Sequence, residues 1–246
     1  MKTKILKTIC LLLPVLLAVS TTTARAVEDG QIDDNSLHVN CRSVWVRNRD
    51  VMGLEAAKVR SHQYLLTVDY PATSRITLHG ETGAASMRLH RSEGETISFG
   101  SRIAYGAGLN LQLYRSTDPV SPSIELSTRY FTFTPDEGEV SGVSNISRYK
   151  EPHKKEIDWT QWQVSMTVTK PLPSYTLYGG ATYSVLECDF KRTWPSGSVE
   201  KETFQQEEEF GLFTGIRAVS LENFLTSLEI NFLNETTYTF AIGYRF

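Results

Sequence analysis

The stretch Tyr238-Thr-Phe240-Ala-Ile242-Gly-Tyr244-Arg-Phe246 decides the fold. Tyr238, Phe240, Ile242, Tyr244 and Phe246 are apolar or aromatic, while Thr239, Ala241, Gly243 and Arg245 between them are small or polar. Successive side chains of a strand point to opposite faces, so the segment predicts a strand with one apolar face and one polar face.

The same alternation recurs upstream. Phe224, Thr226, Leu228, Ile230 and Phe232 oppose Ser227, Glu229 and Asn231, and Phe210, Leu212, Ile216 and Ala218 oppose Gly211, Gly215 and Arg217. Segments 63–70, 102–114, 160–170 and 175–185 alternate in the same way. In 123–133 the pattern of Ile124, Leu126 and Tyr130 is broken near its end by Phe131 and Phe133. Segment 75–90 changes phase, from Ile76 and Leu78 to Ala85, Met87 and Leu89, which predicts a bulge around Gly80–Gly83. No comparable run has helical period, so the chain is predicted to be all-β.

The connections differ in length. Residues 71–74, 116–123, 170–174 and 219–223 are short, turn-forming links. Longer polar links are expected near 48–58, 134–158 and 190–208, with smaller ones near 91–97 and 233–236. Counting backward gives strands as far as 60–70. One more at Leu37–Arg47, within the poorly patterned segment 27–58, would make ten strands. If 75–90 is instead the first strand, there are eight and 27–70 is an appendage.

Residues 1–26 have the form of a cleaved secretory signal: Lys2, Lys4 and Lys7, an apolar run from Ile9 to Val19, then Ala24-Arg25-Ala26. Residues 27–246 would form a single domain. Losing 1–26 would take the 25 basic residues to 21 against 28 acidic ones, and no basic run points to nucleic acid. Past residue 26, no apolar run is long enough for a transmembrane helix, which does not count against strands that alternate. Cys41 and Cys188 fit no metal spacing, and whether they form a disulfide is open. No metal or cofactor is expected.

The alternating strands, the unequal connections and the tail ending in Phe246 resemble the outer-membrane β-barrel proteins of Gram-negative bacteria. That resemblance implies an antiparallel up-and-down transmembrane β-barrel in the outer membrane, with Tyr238, Phe240, Ile242, Tyr244 and Phe246 as an assembly signal. It also implies contact with outer-membrane lipids and lipopolysaccharide, and with the barrel-assembly machinery and periplasmic chaperones during biogenesis. A monomer is expected. Trp159, Trp162, Tyr175, Tyr238, Tyr244 and Phe246 would supply interfacial girdles. A soluble lipocalin-like barrel would reverse the faces, with charges outward.

If the apolar faces meet lipid, the opposite faces fill the lumen. They include Asp69, His79, Glu81, Arg102, Glu125, Arg129, Arg217, Glu229 and Arg245, a set that predicts a network of paired charges. A barrel of eight to ten strands can be largely filled by side chains. The first functional reading is therefore a non-enzymatic barrel with a structural or surface-interaction role. The alternatives are a narrow channel, or a lipid- or peptide-modifying enzyme. The last would need a base beside a nucleophile. His90, near Ser86 and Ser92, and His153 in a charged loop match no motif.

Overall fold

The computed structural model describes residues 36–52, 56–91, 96–115, 121–135, 139–141, 154–172, 175–194, 197–220 and 223–246. The expected signal, the junction at 27–35, His153 and Ser92 lie outside the described residues. The strands are β1 (His38–Met52), β2 (Ala56–Pro71), β3 (Ile76–Arg91), β4 (Thr96–Tyr114), β5 (Ser123–Phe133) and β6 (Glu139–Ser141). They continue with β7 (Lys154–Pro171), β8 (Tyr175–Thr193), β9 (Val199–Gln206), β10 (Phe210–Ser220), β11 (Phe224–Phe232) and β12 (Glu235–Arg245).

All pairings are antiparallel, and ten strands close a barrel in the order β1-β2-β3-β4-β5-β7-β8-β10-β11-β12, with β12 returning to β1. Closure runs from His38↔Arg245 to Arg49↔Glu235, so Leu37–Arg47 is indeed a strand and the eight-stranded alternative falls. The start of β1 and the end of β12 lie at the end that carries the short turns, where the Phe246 amide donates to the Leu37 carbonyl.

Outward side chains on the lower half of the barrel form a continuous apolar belt. It contains Tyr64, Val68 and Tyr70 of β2, Ile103, Tyr105 and Leu109 of β4, and Trp162, Val164, Met166 and Val168 of β7. Tyr238, Phe240 and Ile242 of β12 complete the belt, all of them exposed. A soluble barrel would not leave such a surface to water, and lipid is the solvent that suits it.

Above the belt the polarity inverts. Along β2 the outward series Tyr70, Val68, Leu66, Tyr64 gives way to His62, Arg60 and Lys58, while the inward series Asp69, Thr67 gives way to Val59 and Ala57. Along β8 the outward series Leu177, Ala181, Tyr183, Val185 becomes Glu187, Asp189, Lys191. Its inward series Tyr178, Thr182, Ser184 becomes Leu186, Cys188, Phe190. Each side chain keeps its parity; only the solvent around it changes. In the belt lipid covers the outside, whereas above it water does, and the apolar residues turn inward as in a soluble protein.

This inversion corrects several expectations. β3 pairs β2 without interruption from Ala57↔Arg91 to Pro71↔Thr77, so there is no bulge at Gly80–Gly83. The phase change of 75–90 marks the passage of β3 from lipid to water. The irregularity lies instead on β4, between the partners of Ala85 and Met87. Phe131 and Phe133 share the inward face with Glu125 and Arg129 and enter the upper core. Trp159 is no girdle residue: it is fully buried in that core, against Phe133 at 5.4 Å between centroids. Much of the expected links 48–58 and 190–208 is strand, paired as β1–β2 and β8–β9. Here β9 pairs the upper part of β8 and touches β1 at Val51 and Met52, closing the extension above the short β11–β12 hairpin.

Cys41 and Cys188 are both free, the first exposed on the outer face and the second buried in the upper core, where burial pushes its thiol up to about 12. A membrane-impermeant maleimide is expected to leave both unmodified in the folded barrel and to label both after denaturation, as read by peptide mass. In the middle of the belt on β11, Leu228→Arg is expected to cost about 2–4 kcal/mol of stability in lipid vesicles, measured by urea unfolding.

Candidate functional site: a charged lumen beneath an apolar plug

The inward faces of the belt-spanning segments enclose a cavity of about 500 Å³. It reaches Ser36, Thr73, Ser74, Arg75 and Arg115, so it opens at the short-turn end. Arg129, Arg42, His79 and Asp69 line it, and Glu81 is buried behind them. Glu81 reaches from β3 across β4 to Arg129 on β5, whose Nε donates to its Oε1 at 2.7 Å. Arg42 of β1 stands 4.0 Å from the other carboxylate oxygen. His79 faces acids through both ring nitrogens, with Asp69 Oδ1 2.6 Å from Nδ1 and Glu81 Oε2 3.5 Å from Nε2. Asn40 Nδ2 donates to Asp69 Oδ2 at 3.2 Å.

Local sequence explains how these groups meet. Glu81 is the cross-strand partner of Gly106, and a Cβ at Gly106 would lie 2.5 Å from Glu81 Oε1. Glycine therefore clears the path between β3 and β5. Gly215 does the same for Tyr178, whose ring a Cβ there would meet at 2.3 Å. Arg217 sits 5.6 Å from that ring, in cation–π range.

A neutral polar layer follows. Gln163 Nε2 donates to Thr182 Oγ1 at 2.9 Å, and Asn234 Nδ2 to Ser184 Oγ at 3.1 Å. Arg49 pairs with Glu235 in the same region and lies 5.3 Å from the Trp159 ring. Only a void of about 30 Å³ remains here, among Arg42, Gln63, Gln161 and Glu235. Beyond it the apolar core fills the barrel: Val59, Ile97, Phe131, Ile157, Trp159, Leu186 and Phe204 have no exposed surface.

The sequence-predicted lumen set is largely brought together. Asp69, His79, Glu81 and Arg129 form the network, and Glu125, Arg217, Glu229 and Arg245 line the cavity. Arg102 departs from it, being exposed beside the β4 irregularity, where one extra residue enters the strand. Arg42, Arg49 and Glu235 were not foreseen. Poor alternation hid the first two, and Glu235 fell in an expected link.

His79 lies between the carboxylates of Asp69 and Glu81. His90 spends Nδ1 on the Thr96 hydroxyl at 2.9 Å. No group of His, Cys, Asp and Glu suited to a metal occurs among the described residues.

No protein-family model and no curated protein matches the sequence. Among solved structures, the fold is similar to the translocator domain of the autotransporter NalP from Neisseria meningitidis. The TM-score is 0.52 at 12% identity, covering 97% of this chain and 96% of that one. Also similar are two Escherichia coli proteins. The transport unit of the autotransporter AIDA-I has a TM-score of 0.43 at 11% identity, over 94% and 97% of the two chains. The outer membrane protease OmpT has a TM-score of 0.46 at 6% identity, over 90% and 100%. The fold is that of the outer-membrane β-barrels, as in the NalP translocator domain. More narrowly, it is a ten-stranded antiparallel barrel whose lumen is charged below and apolar above.

Removing the hub of the network is expected to be expensive. Glu81→Ala leaves the half-buried Arg129 and Arg42 without their shared buried carboxylate and should cost about 3 kcal/mol, the low end for a broken buried pair, in urea unfolding from vesicles. Gly106→Ala should weaken the same network by displacing Glu81, with negative coupling in a double-mutant cycle against Arg129→Gln.

Proposed function

We propose that the protein is a closed, non-enzymatic barrel of the Gram-negative outer membrane that anchors a rigid extension at the cell surface. The observation that carries this reading is the apolar plug. Trp159, Phe131, Phe133, Phe190 and Phe204 fill the interior where a channel would have to pass. A hydrated ion crossing that layer would lose its water with no polar group to replace it. The vestibule below is then a solvated pocket closed at one end.

The orientation follows the layout of such barrels, with short turns and both termini on the periplasmic side and long hairpins outside. Above the lipid belt, β2, β3, β4, β7, β8 and β9 continue as a water-facing barrel with its own core. That construction suits presentation of a fixed surface rather than gating. Lipopolysaccharide surrounds the barrel in this reading, and the assembly machinery inserts it with Tyr238, Phe240, Ile242, Tyr244 and Phe246 as the signal strand. One copy suffices, since the β12–β1 seam is satisfied within one chain.

Planar-bilayer recording tests the closed lumen: the wild-type protein is expected to give no stable conductance steps. Trp159→Ala combined with Phe131→Ala and Phe133→Ala is expected to introduce openings, provided the barrel remains heat-modifiable on gels. Clean, stable steps from the wild type would overturn the reading in favour of a narrow channel.

A further inference from the structure

One flank of the extension carries cations in no ion pair with a described carboxylate. Arg60 of β2 and Arg88 of β3 are direct cross-strand partners on the outer face, both exposed. Arg47 of β1 lies at the irregularity between Val46 and Arg49, opposite the position of Arg60 on β2, and is also exposed. His62 stands one outward position below Arg60, edge-on to Trp45 at 5.2 Å. Among the residues whose side chains are described, no carboxylate is within ion-pair distance of Arg47, Arg60 or Arg88. The nearest outward cation above them, Lys58, is paired with Asp50 at 3.7 Å.

Like charges set directly opposite one another in a sheet are destabilising. The opposite flank shows the ordinary solution: β7 and β8 place Glu156, Glu187 and Asp189 outward with Lys191, and Lys191 pairs with Glu156 at 3.3 Å. The arginine row is felt by its neighbours. His90 is held below the usual imidazole range first by burial and then by Arg60 and Arg88.

The position of the row supplies the missing partner. Directly beneath it the outer face turns apolar, with Trp45 58% and Tyr64 61% exposed and Ile103 and Tyr105 beside them. The row therefore lies at the upper edge of the lipid belt. Guanidinium groups bind phosphate through two parallel hydrogen bonds, and their attraction is less screened at a lipid boundary than in open water. The geometry points to a binding site for a phosphate-bearing lipid of the outer leaflet. Its headgroup phosphate is bridged by Arg60 and Arg88 with Arg47 alongside, and its acyl chains lie against Tyr64, Leu66 and Tyr105. This rests on the long hairpins facing outward, as proposed above.

The test uses full-length protein in detergent micelles, its thermal unfolding followed by gel mobility. It is titrated with diphosphorylated lipid A, with the same lipid dephosphorylated, or with inorganic phosphate. The diphosphorylated lipid should raise the midpoint more than the dephosphorylated one, and inorganic phosphate should leave it unchanged. Arg60→Gln with Arg88→Gln should abolish the difference between the lipids, while Lys191→Gln on the opposite flank should preserve it. Without lipid, Arg88→Gln alone should be at least as stable as wild type, since it removes one half of an opposed pair. That single variant carries the same lipid test at reduced effect if the double variant does not fold. Equal shifts with both lipids, a difference that survives these substitutions, or a shift reproduced by inorganic phosphate would overturn the site. Protease treatment of intact cells separates the underlying reading. If the β8–β9 hairpin is spared while the lipid A difference persists, the orientation is wrong and the phosphate site stands.

Discussion

Backbone amides in a bilayer have no water to bond, and the β1–β12 ladder is where this chain meets that constraint. Open sheet edges do not occur in hydrocarbon, because each unsatisfied group there costs several kcal/mol. The seam from His38↔Arg245 to Arg49↔Glu235 removes the only two edges that the meander would otherwise expose. With closure, each strand's parity becomes a choice between lumen and lipid. The start of β1 and the end of β12 are brought to one end, and the strand count must be even. The lumen network and the outer belt depend on that one ladder.

Closure also creates two interiors. Below, inward charges cannot leave, so they are neutralised across the barrel. Glu81 lies over Gly106 to reach Arg129, and Asp69 and Asn40 tie β2 to β1. Above, the surrounding water lets charges face outward, and the inward positions collapse into an aromatic and aliphatic core. The transition falls between Tyr64 and His62 on β2, between Trp162 and Thr160 on β7, and between Val185 and Glu187 on β8. The molecule is a membrane barrel and a water-facing barrel built on one set of continuous strands.

That construction explains what was legible in the sequence. β10, β11 and β12 cross little beyond the lipid, so one polarity rule holds along their length and their faces could be read directly. The lumen residues Asp69, Glu81, Glu125, Arg129, Arg217, Glu229 and Arg245 followed from those faces. Where β2, β3, β5, β7 and β8 continue past the belt, the rule reverses without any change in backbone, while β1 and β4 shift register at that level. Thus Phe131 and Phe133 looked like interruptions, 75–90 looked bulged, and Trp159 looked interfacial. β1 was hardest to read, because its outward Cys41 and Ser43 are weakly apolar and its inward Val44 and Val46 already belong to the upper core. Side-chain pairing across the lumen, such as Arg49 with Glu235, depends on closure between distant segments and leaves no local pattern.

Trp159 and Trp162 lie three positions apart on β7, yet one is buried inside the upper core and the other is 59% exposed on the outer belt. Their quenching by lipids brominated on the acyl chains tests the inversion most directly. Single-tryptophan proteins keep one of the two and carry Phe at the remaining tryptophan positions, including Trp45 and Trp194. In brominated bilayers the Trp162 protein should be strongly quenched and the Trp159 protein should match its emission in unbrominated lipid. Equal quenching of the two, or stronger quenching of Trp159, would contradict a barrel whose faces exchange polarity at the edge of the membrane.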